Sequence, residues 1–222
     1  MEGIFVTGVD TSVGKTIVCA GMLKAAIGGR KVAYWKPVQT GTIVSDDTAT
    51  VRSLVDATDD CFLDPVYRFA DPVSPHFAAL KWGKRIDLDE IVRRYEEARK
   101  RGITVILEGA GGMLVPLNDK DLQADLIERV KLPVLLVATD RVGAINQTLL
   151  SLNECRERNI AVAGVILTKS RGHLGNAEAI STFGKVEVLA EIAPSDDSRT
   201  LVAAVSGNDR VRKLLGVPSL PL

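Results

Sequence analysis

The stretch Val6 to Thr16, VTGVDTSVGKT, constrains this chain more than any other feature of its sequence. Before it lies a short apolar run, Gly3-Ile4-Phe5-Val6, with the character of a buried strand. After it comes TIVCAGMLKAA, Thr16 to Ala26, a mostly apolar helical stretch that ends at Gly28-Gly29. A strand, a glycine-bearing turn and a helix in that order aim backbone N–H groups and the positive end of the helix dipole at whatever occupies the turn. Gly14-Lys15-Thr16 adds an ammonium suited to outer phosphates and a hydroxyl suited to Mg2+. The segment therefore reads as a phosphate-binding loop, with an odd spacing. The common pattern G-x-x-x-x-G-K-[ST] has glycine where this chain has Val9, and the nearest glycine, Gly8, stands one position early. The competing reading is a strand-to-helix turn that contains GKT by chance.

Downstream, apolar runs alternate with helical patterns. Strands are expected over Gly3 to Thr7, Lys31 to Lys36, Thr104 to Leu107, Pro133 to Ala138, Val162 to Leu167 and Val186 to Ile192. Most lack polar alternation, as strands covered on both faces do. Leu88, Ile91, Val92, Tyr95 and Ala98 recur at helical spacing, as do Ile145, Leu149, Leu152 and Cys155. Leu201, Val202, Val205, Val211 and Leu214-Leu215 predict a C-terminal helix interrupted near Gly207. The expected fold is α/β: a doubly wound, mainly parallel sheet with helices on both faces, P-loop NTPase-like, in a single domain spanning 1–222.

Charge and cysteine usage narrow the function classes. Lys plus Arg equals Asp plus Glu, 28 each, so no basic excess marks the chain for nucleic acid or an anionic membrane. Cys19, Cys61 and Cys155 are far apart, the usage of a reducing compartment and not of a disulfide framework or zinc site. No signal peptide is expected before the first strand, and no apolar run approaches the ~18 residues of a membrane span. A cytoplasmic protein is expected.

In a doubly wound sheet, ligands bind beyond the carboxyl ends of the strands. Those ends carry, in order, the phosphate loop; Lys36-Pro37-Val38-Gln39-Thr40-Gly41; Glu108-Gly109-Ala110-Gly111-Gly112; Asp140-Arg141-Val142-Gly143-Ala144-Ile145-Asn146; and Thr168-Lys169. Glu108 is a candidate Mg2+ ligand with Thr16, or else a solvated acid at a turn. Asp46 and Asp47 open an expected helix from Thr48 to Ala57; one caps it and the other is free to reach the metal. Lys36 is either a solvated lysine or a second cation for phosphoryl transfer. His76, in YRFADPVSPH, reads as capping or structural more than as a general base, and His173 as solvated.

These residues resemble the dethiobiotin synthetase family, of P-loop ATP-dependent cyclo-ligases. The resemblance rests on GVDTSVGKT (8–16), YWKPVQTG (34–41), YRFADPVSPHFAA (67–79), ILEGAGGMLVPL (106–117) and PVLLVATDRVGAINQTLL (133–150), in the family's order. It covers the chain to about residue 168 and is weak beyond. The family's loop also carries its first glycine one step early, which would account for Gly8. The resemblance implies ring closure of 7,8-diaminopelargonic acid with CO2 and MgATP, in biotin biosynthesis. A carbamate forms, ATP converts it to a carbamic-phosphoric anhydride, and the second amine closes the ureido ring and expels phosphate. It implies Lys15 and Lys36 as catalytic residues. Gly8, Thr11, Val13, Gly14, Lys15, Thr16, Ile17 and Thr168 would hold nucleotide. Thr11, Lys36, Thr40 and Gly111 would meet carbamate or diamine. Gly143, Ala144 and Asn146 would anchor the substrate carboxylate across a homodimer. Thr16, Asp47 and Glu108 would hold Mg2+, with Asp46 the alternative to Asp47. Thr168 stands where the family often has asparagine to read adenine, which leaves base selectivity open.

Rival readings fit less well. A partitioning ATPase of the same fold would carry a lysine where this chain has Asp10. A GTP switch would need N-K-x-D, and Thr168-Lys169-Ser170-Arg171 lacks both the Asn and the Asp. A glutaminase-bearing amide synthetase would need more chain.

Overall fold

A computed structural model describes residues 2–218. Met1 and residues 219–222, included in the expected single domain, lie outside the described residues. The chain enters through β1 (Gly3–Gly8), all of it buried, and passes through the phosphate-loop segment into α1 (Lys15–Ala26). β2 (Val32–Trp35) and β3 (Val38–Gln39) follow, then α2 (Asp47–Leu54). A 3-10 turn, Asp59–Cys61, leads to β4 (Phe62–Leu63) and β5 (Tyr67–Arg68). α3 (Pro75–Lys81) and α4 (Leu88–Lys100) precede the nine-residue β6 (Thr104–Gly112). Beyond it come α5 (Gln123–Val130), β7 (Val134–Thr139), α6 (Ala144–Glu157), β8 (Val162–Thr168), α7 (Asn176–Gly184) and β9 (Val188–Ile192). α8 (Ser198–Ser206) and α9 (Asp209–Leu214) complete the order.

Among the described residues, seven strands form one sheet in the order β4-β2-β6-β1-β7-β8-β9, with every named pairing parallel. Side chains along each strand alternate between two cores. Phe5, Trp35, Leu107, Leu136 and Ala138 join α4, α5 and α6 on one face. Ile4, Val6, Tyr34, Ile106 and Val137 join α1, α8 and α9 on the other. Because both faces are covered, the strands read as unbroken apolar runs. Among the described residues, no helix is long and apolar enough to cross a membrane.

Several expectations shift. Thr104 to Leu107 is only the first part of β6, so Glu108 lies inside a strand and not after one. The strand continues because its glycines tolerate close approach: a Cβ on Gly109 would lie 2.6 Å from the Gln123 side chain, and one on Gly112 3.2 Å from the Gly8 carbonyl. The expected strand from Lys31 narrows to Val32–Trp35, and that from Val186 begins at Val188. The helix expected from Thr48 to Ala57 runs Asp47–Leu54. The interruption near Gly207 is a true break: the Asn208 side chain accepts from the backbone N–H groups of Arg210 and Val211 and starts α9 afresh. Sequence patterning did not foresee α3, α5 or α7, nor β3 and β5, which pair with each other in a separate two-stranded sheet.

Candidate active site

The early glycine has a steric cause. A Cβ on Gly8 would come within 2.5 Å of the Asp10 carbonyl oxygen, 2.7 Å of Val13 Cγ2 and 3.0 Å of Lys15 Nζ. The loop folds so tightly onto the end of β1 that no side chain fits there. Val9, the residue in the usual glycine position, instead anchors the turn by donating to the Val137 carbonyl at 3.0 Å. Ser12 (φ 55°) and Gly14 (φ 94°) both adopt left-handed backbone, the alternation that gathers N–H groups into an anion-binding concavity. α1 has no side-chain cap at Gly14, so the donors of its first turn face the loop. Lys15 Nζ donates back to the Asp10 carbonyl at 3.1 Å. Thr168 lies buried beneath the loop, its hydroxyl 2.8 Å from the Val13 carbonyl oxygen.

Beside this loop the end of β2 and the middle of β6 bring charge together. Lys36 is 6 % exposed and Glu108 1 %. Lys36 Nζ donates to Glu108 Oε1 at 2.9 Å and also pairs with Asp47 Oδ2. Thr16 Oγ1 donates to the same Glu108 Oε1 at 3.0 Å, which joins the cluster to the phosphate loop. Burial alone would lower the Lys36 pKa, but the Glu108 and Asp47 carboxylates outweigh it and raise it above the ordinary lysine value. Burial lowers that of Lys15; Glu108 opposes the shift and the positive charge of Lys36 adds to it. The two ammonium groups thus sit within each other's field, around one carboxylate.

The two acidic candidates separate cleanly. Asp46 caps α2, accepting from the Ala49 N–H at 2.9 Å, and pairs with Arg68. Its burial would raise its pKa, but the Ala49 N–H and the Arg68 guanidinium outweigh that and hold it below the ordinary value. Asp47 turns inward to Lys36. Thr16, Asp47 and Glu108 therefore offer hard oxygen donors on one rim, the chemistry Mg2+ takes from protein when phosphates and water supply the remainder. Among the described residues, no group of three or more His, Cys, Asp or Glu is placed to hold a metal, so a cation here would depend on such outside ligands.

Other candidates lie further out. Thr11 is exposed in the loop, and its methyl would lie 3.8 Å from a Cβ on Gly111. Thr40 is half-buried just past β3. Gly143 (φ 91°) starts α6 with no side-chain cap, and Asn146 is exposed. Ala144 between them is fully buried and its N–H donates to the Arg141 carbonyl at 3.0 Å, so it has no free donor for a carboxylate. His76 shares a hydrogen bond with Ser74 Oγ at 3.1 Å at the start of α3, a structural placement, and His173 is exposed.

Sequence reasoning missed Tyr34. Its hydroxyl donates to Glu108 Oε2 at 2.9 Å, and burial followed by the Glu108 charge holds its pKa well above the ordinary value. The signal was strand parity: Tyr34 and Lys36 share one face of β2, as Ile106 and Glu108 share one face of β6, and Tyr34 pairs in register with Ile106. Arg141 was missed too; its guanidinium lies 3.8 Å from Asp10 Oδ2 in the loop.

A family model described as an AAA domain matches residues 2–200. The ATP-dependent dethiobiotin synthetase BioD of Paramagnetospirillum magneticum is 39% identical over 195 residues, 87% of this chain and 89% of that protein. The enzyme of the same name from Christiangramia forsetii is 38% identical over 191 residues, 86% of this chain and 87% of its own. Among solved structures, the MinD cell division protein of Aquifex aeolicus matches with a TM-score of 0.63 at 18% identity, covering 100% of this chain and 99% of that one. At that identity the likeness shows the P-loop α/β fold alone.

Proposed function

The chain belongs to the ATP-dependent dethiobiotin synthetase family, and from that premise we propose that its site closes the ureido ring of 7,8-diaminopelargonic acid with CO2 and MgATP. The observation that carries this reading is Lys36, buried between Asp47 and Glu108 and sharing the Glu108 Oε1 acceptor with Thr16. A site that joins a carbamate to a γ-phosphoryl group must bring anions together, and fixed positive charge inside a low-dielectric rim does so.

Gly8, Val13, Gly14, Lys15, Thr16 and Ile17 would cradle the triphosphate, with Thr168 bracing the loop from below. Mg2+ held by Thr16, Asp47 and Glu108 would neutralise charge on that triphosphate. Lys36, kept cationic despite its burial by the Glu108 and Asp47 carboxylates, supplies charge and not a base. It would stabilise the carbamate oxygen as that oxygen accepts the phosphoryl group from ATP and ADP leaves. The second amine then attacks the carbamoyl carbon, and the phosphate departs with the former carbamate oxygen. Thr11, Thr40 and Gly111 would line the diamine. Gly143 and Asn146 would receive the carboxylate tail of a partner's substrate at the start of α6, where helix geometry favours an anion. Val142 and Leu150 on that segment are 86% and 61% exposed, which supports a homodimer with α6 at its interface. Three free thiols fit the reducing cytoplasm.

The test is phosphate release from MgATP. It is expected only when diamine and bicarbonate are both present; ATP turnover indifferent to the diamine would turn the reading toward a regulatory ATPase.

A further inference from the structure

Glu108 uses its two carboxylate oxygens differently. Oε1 faces the phosphate loop and receives Thr16 Oγ1 at 3.0 Å and Lys36 Nζ at 2.9 Å. Oε2 faces inward and receives the Tyr34 hydroxyl at 2.9 Å. We propose that Tyr34 is a positioning residue that makes Glu108 meet a divalent cation through Oε1 alone, and so favours Mg2+ over Ca2+ at this site.

The geometry supports a fixed carboxylate. Tyr34 and Glu108 are 0% and 1% exposed, so water does not compete for Oε2. The tyrosine ring is held edge-on to Phe62, with centroids 6.5 Å apart at 70°. A hydroxyl locked on Oε2 resists the rotation that would present both oxygens to one ion. Mg2+ needs near-octahedral geometry and takes carboxylates through single oxygens, whereas Ca2+ accepts about 6–8 oxygens and readily binds a carboxylate through both. Partners behind a ligand typically contribute about 10–100-fold to metal affinity.

This inference rests on the proposed MgATP site, and its test separates the two. Equilibrium binding of a nonhydrolysable ATP analogue is measured for the wild type, Tyr34→Phe and Glu108→Gln, with no cation, with Mg2+ and with Ca2+. Phenylalanine keeps the ring that packs on Phe62. Glu108→Gln defines how much of the cation effect passes through this carboxylate. In Tyr34→Phe the Mg2+ enhancement should fall about tenfold while the Ca2+ enhancement holds or grows, and cation-free affinity should change by less than about twofold. A wild-type Mg2+ preference retained intact in Tyr34→Phe overturns the inference and leaves the site standing. Equal loss for both cations, or equal loss without any cation, also overturns it, because the hydroxyl would then support the loop and not the choice of ion. A Glu108→Gln protein with the full wild-type cation effect overturns the metal site itself.

Discussion

Two stretches of the same sheet rim are built on opposite plans. At β2, β6 and β1, the buried charges Lys36 and Glu108 are bonded to each other and to their neighbours: Lys36 also to Asp47, Glu108 also to Thr16 and Tyr34. At β7, β8 and β9, the polar links are between carboxylates and neutral groups. Ser170 Oγ lies 2.7 Å from both Asp140 Oδ2 and Glu191 Oε2, and Asn176 Nδ2 donates to Asp140 Oδ1 at 2.6 Å. Beyond them Arg141, Val142, Gly143 and Asn146 stand in solvent. The first stretch is bonded within itself; the second holds its loops in place but leaves their outer faces open. If the proposed site is the one that reacts, a rim of this kind would fix reaction geometry in advance and let recognition depend on what docks.

The sharpest way to break that contrast is Lys36→Ala. If the wired side serves the reaction, turnover should fall by roughly 10²–10³-fold, as when one fixed donor to developing charge is lost, with nucleotide affinity much less affected. Leaving Glu108 buried without its partner should also cost stability, at the low end of about 3–5 kcal/mol because Asp47 keeps contact with water. Normal turnover in a destabilised protein would make the wiring structural only. The next largest effect is expected from Gly8→Ala. The added Cβ would sit 2.5 Å from the Asp10 carbonyl oxygen, so the loop must shift. A strain of about 1–3 kcal/mol corresponds to roughly 5–150-fold in nucleotide affinity, read by titration calorimetry. An unchanged affinity would mean the early glycine is incidental.

Gly143→Ala probes the open side. Gly143 holds φ 91° and a Cβ there would touch nothing within 4 Å, so the cost is conformational alone, about 1–2 kcal/mol. The expected result is a rise of roughly 5–30-fold in the KM for the diamine, with nucleotide affinity intact. If the nucleotide weakens equally, the two stretches are one coupled unit and the contrast fails.

What the sequence made legible follows the same division. Gly14-Lys15-Thr16 and the apolar strands fix the sheet and its loop, because local spacing and two-sided burial decide them. Lys36 and Glu108 stood out as charges at strand ends, yet their pairing needed the register of β2 against β6, which no local pattern carries. Tyr34 hid because an aromatic in a buried strand reads as core, and it is core except for its hydroxyl. Asp46 and Asp47 could not be told apart until the first turn of α2 set one outward as a cap and the other inward. α3, α5 and α7 span only 7 to 9 residues, too short for a repeating apolar stripe; the equally short α2 and α8 were legible from the Asp46-Asp47 cap signal and from a stripe that runs on toward α9.

The smallest expected effect distinguishes the two lysines by pH. Lys36 has a folded pKa raised above the ordinary 10.5, so the stability it contributes is fully present below about 10.5 and is lost as pH climbs through the folded value. Lys15 has a lowered folded pKa, so the unfolded chain binds its proton more tightly, and its contribution improves as pH rises from that lowered value toward 10.5. The slopes have opposite signs on either side of about 10.5. Thermal midpoints of the wild type, Lys15→Met, Lys36→Met and the double variant, taken from about pH 8 to 11, separate each lysine's contribution from the coupling between the two. Lys15→Met should flatten the rise below 10.5 and Lys36→Met the fall above it. Triphosphate bound at the loop should pull the Lys15 pKa back up and erase the rising limb while leaving the falling one. A nucleotide that instead moved the Lys36 limb would place the outer phosphates nearer β2 than the loop, and the wired side would no longer be complete without its ligand.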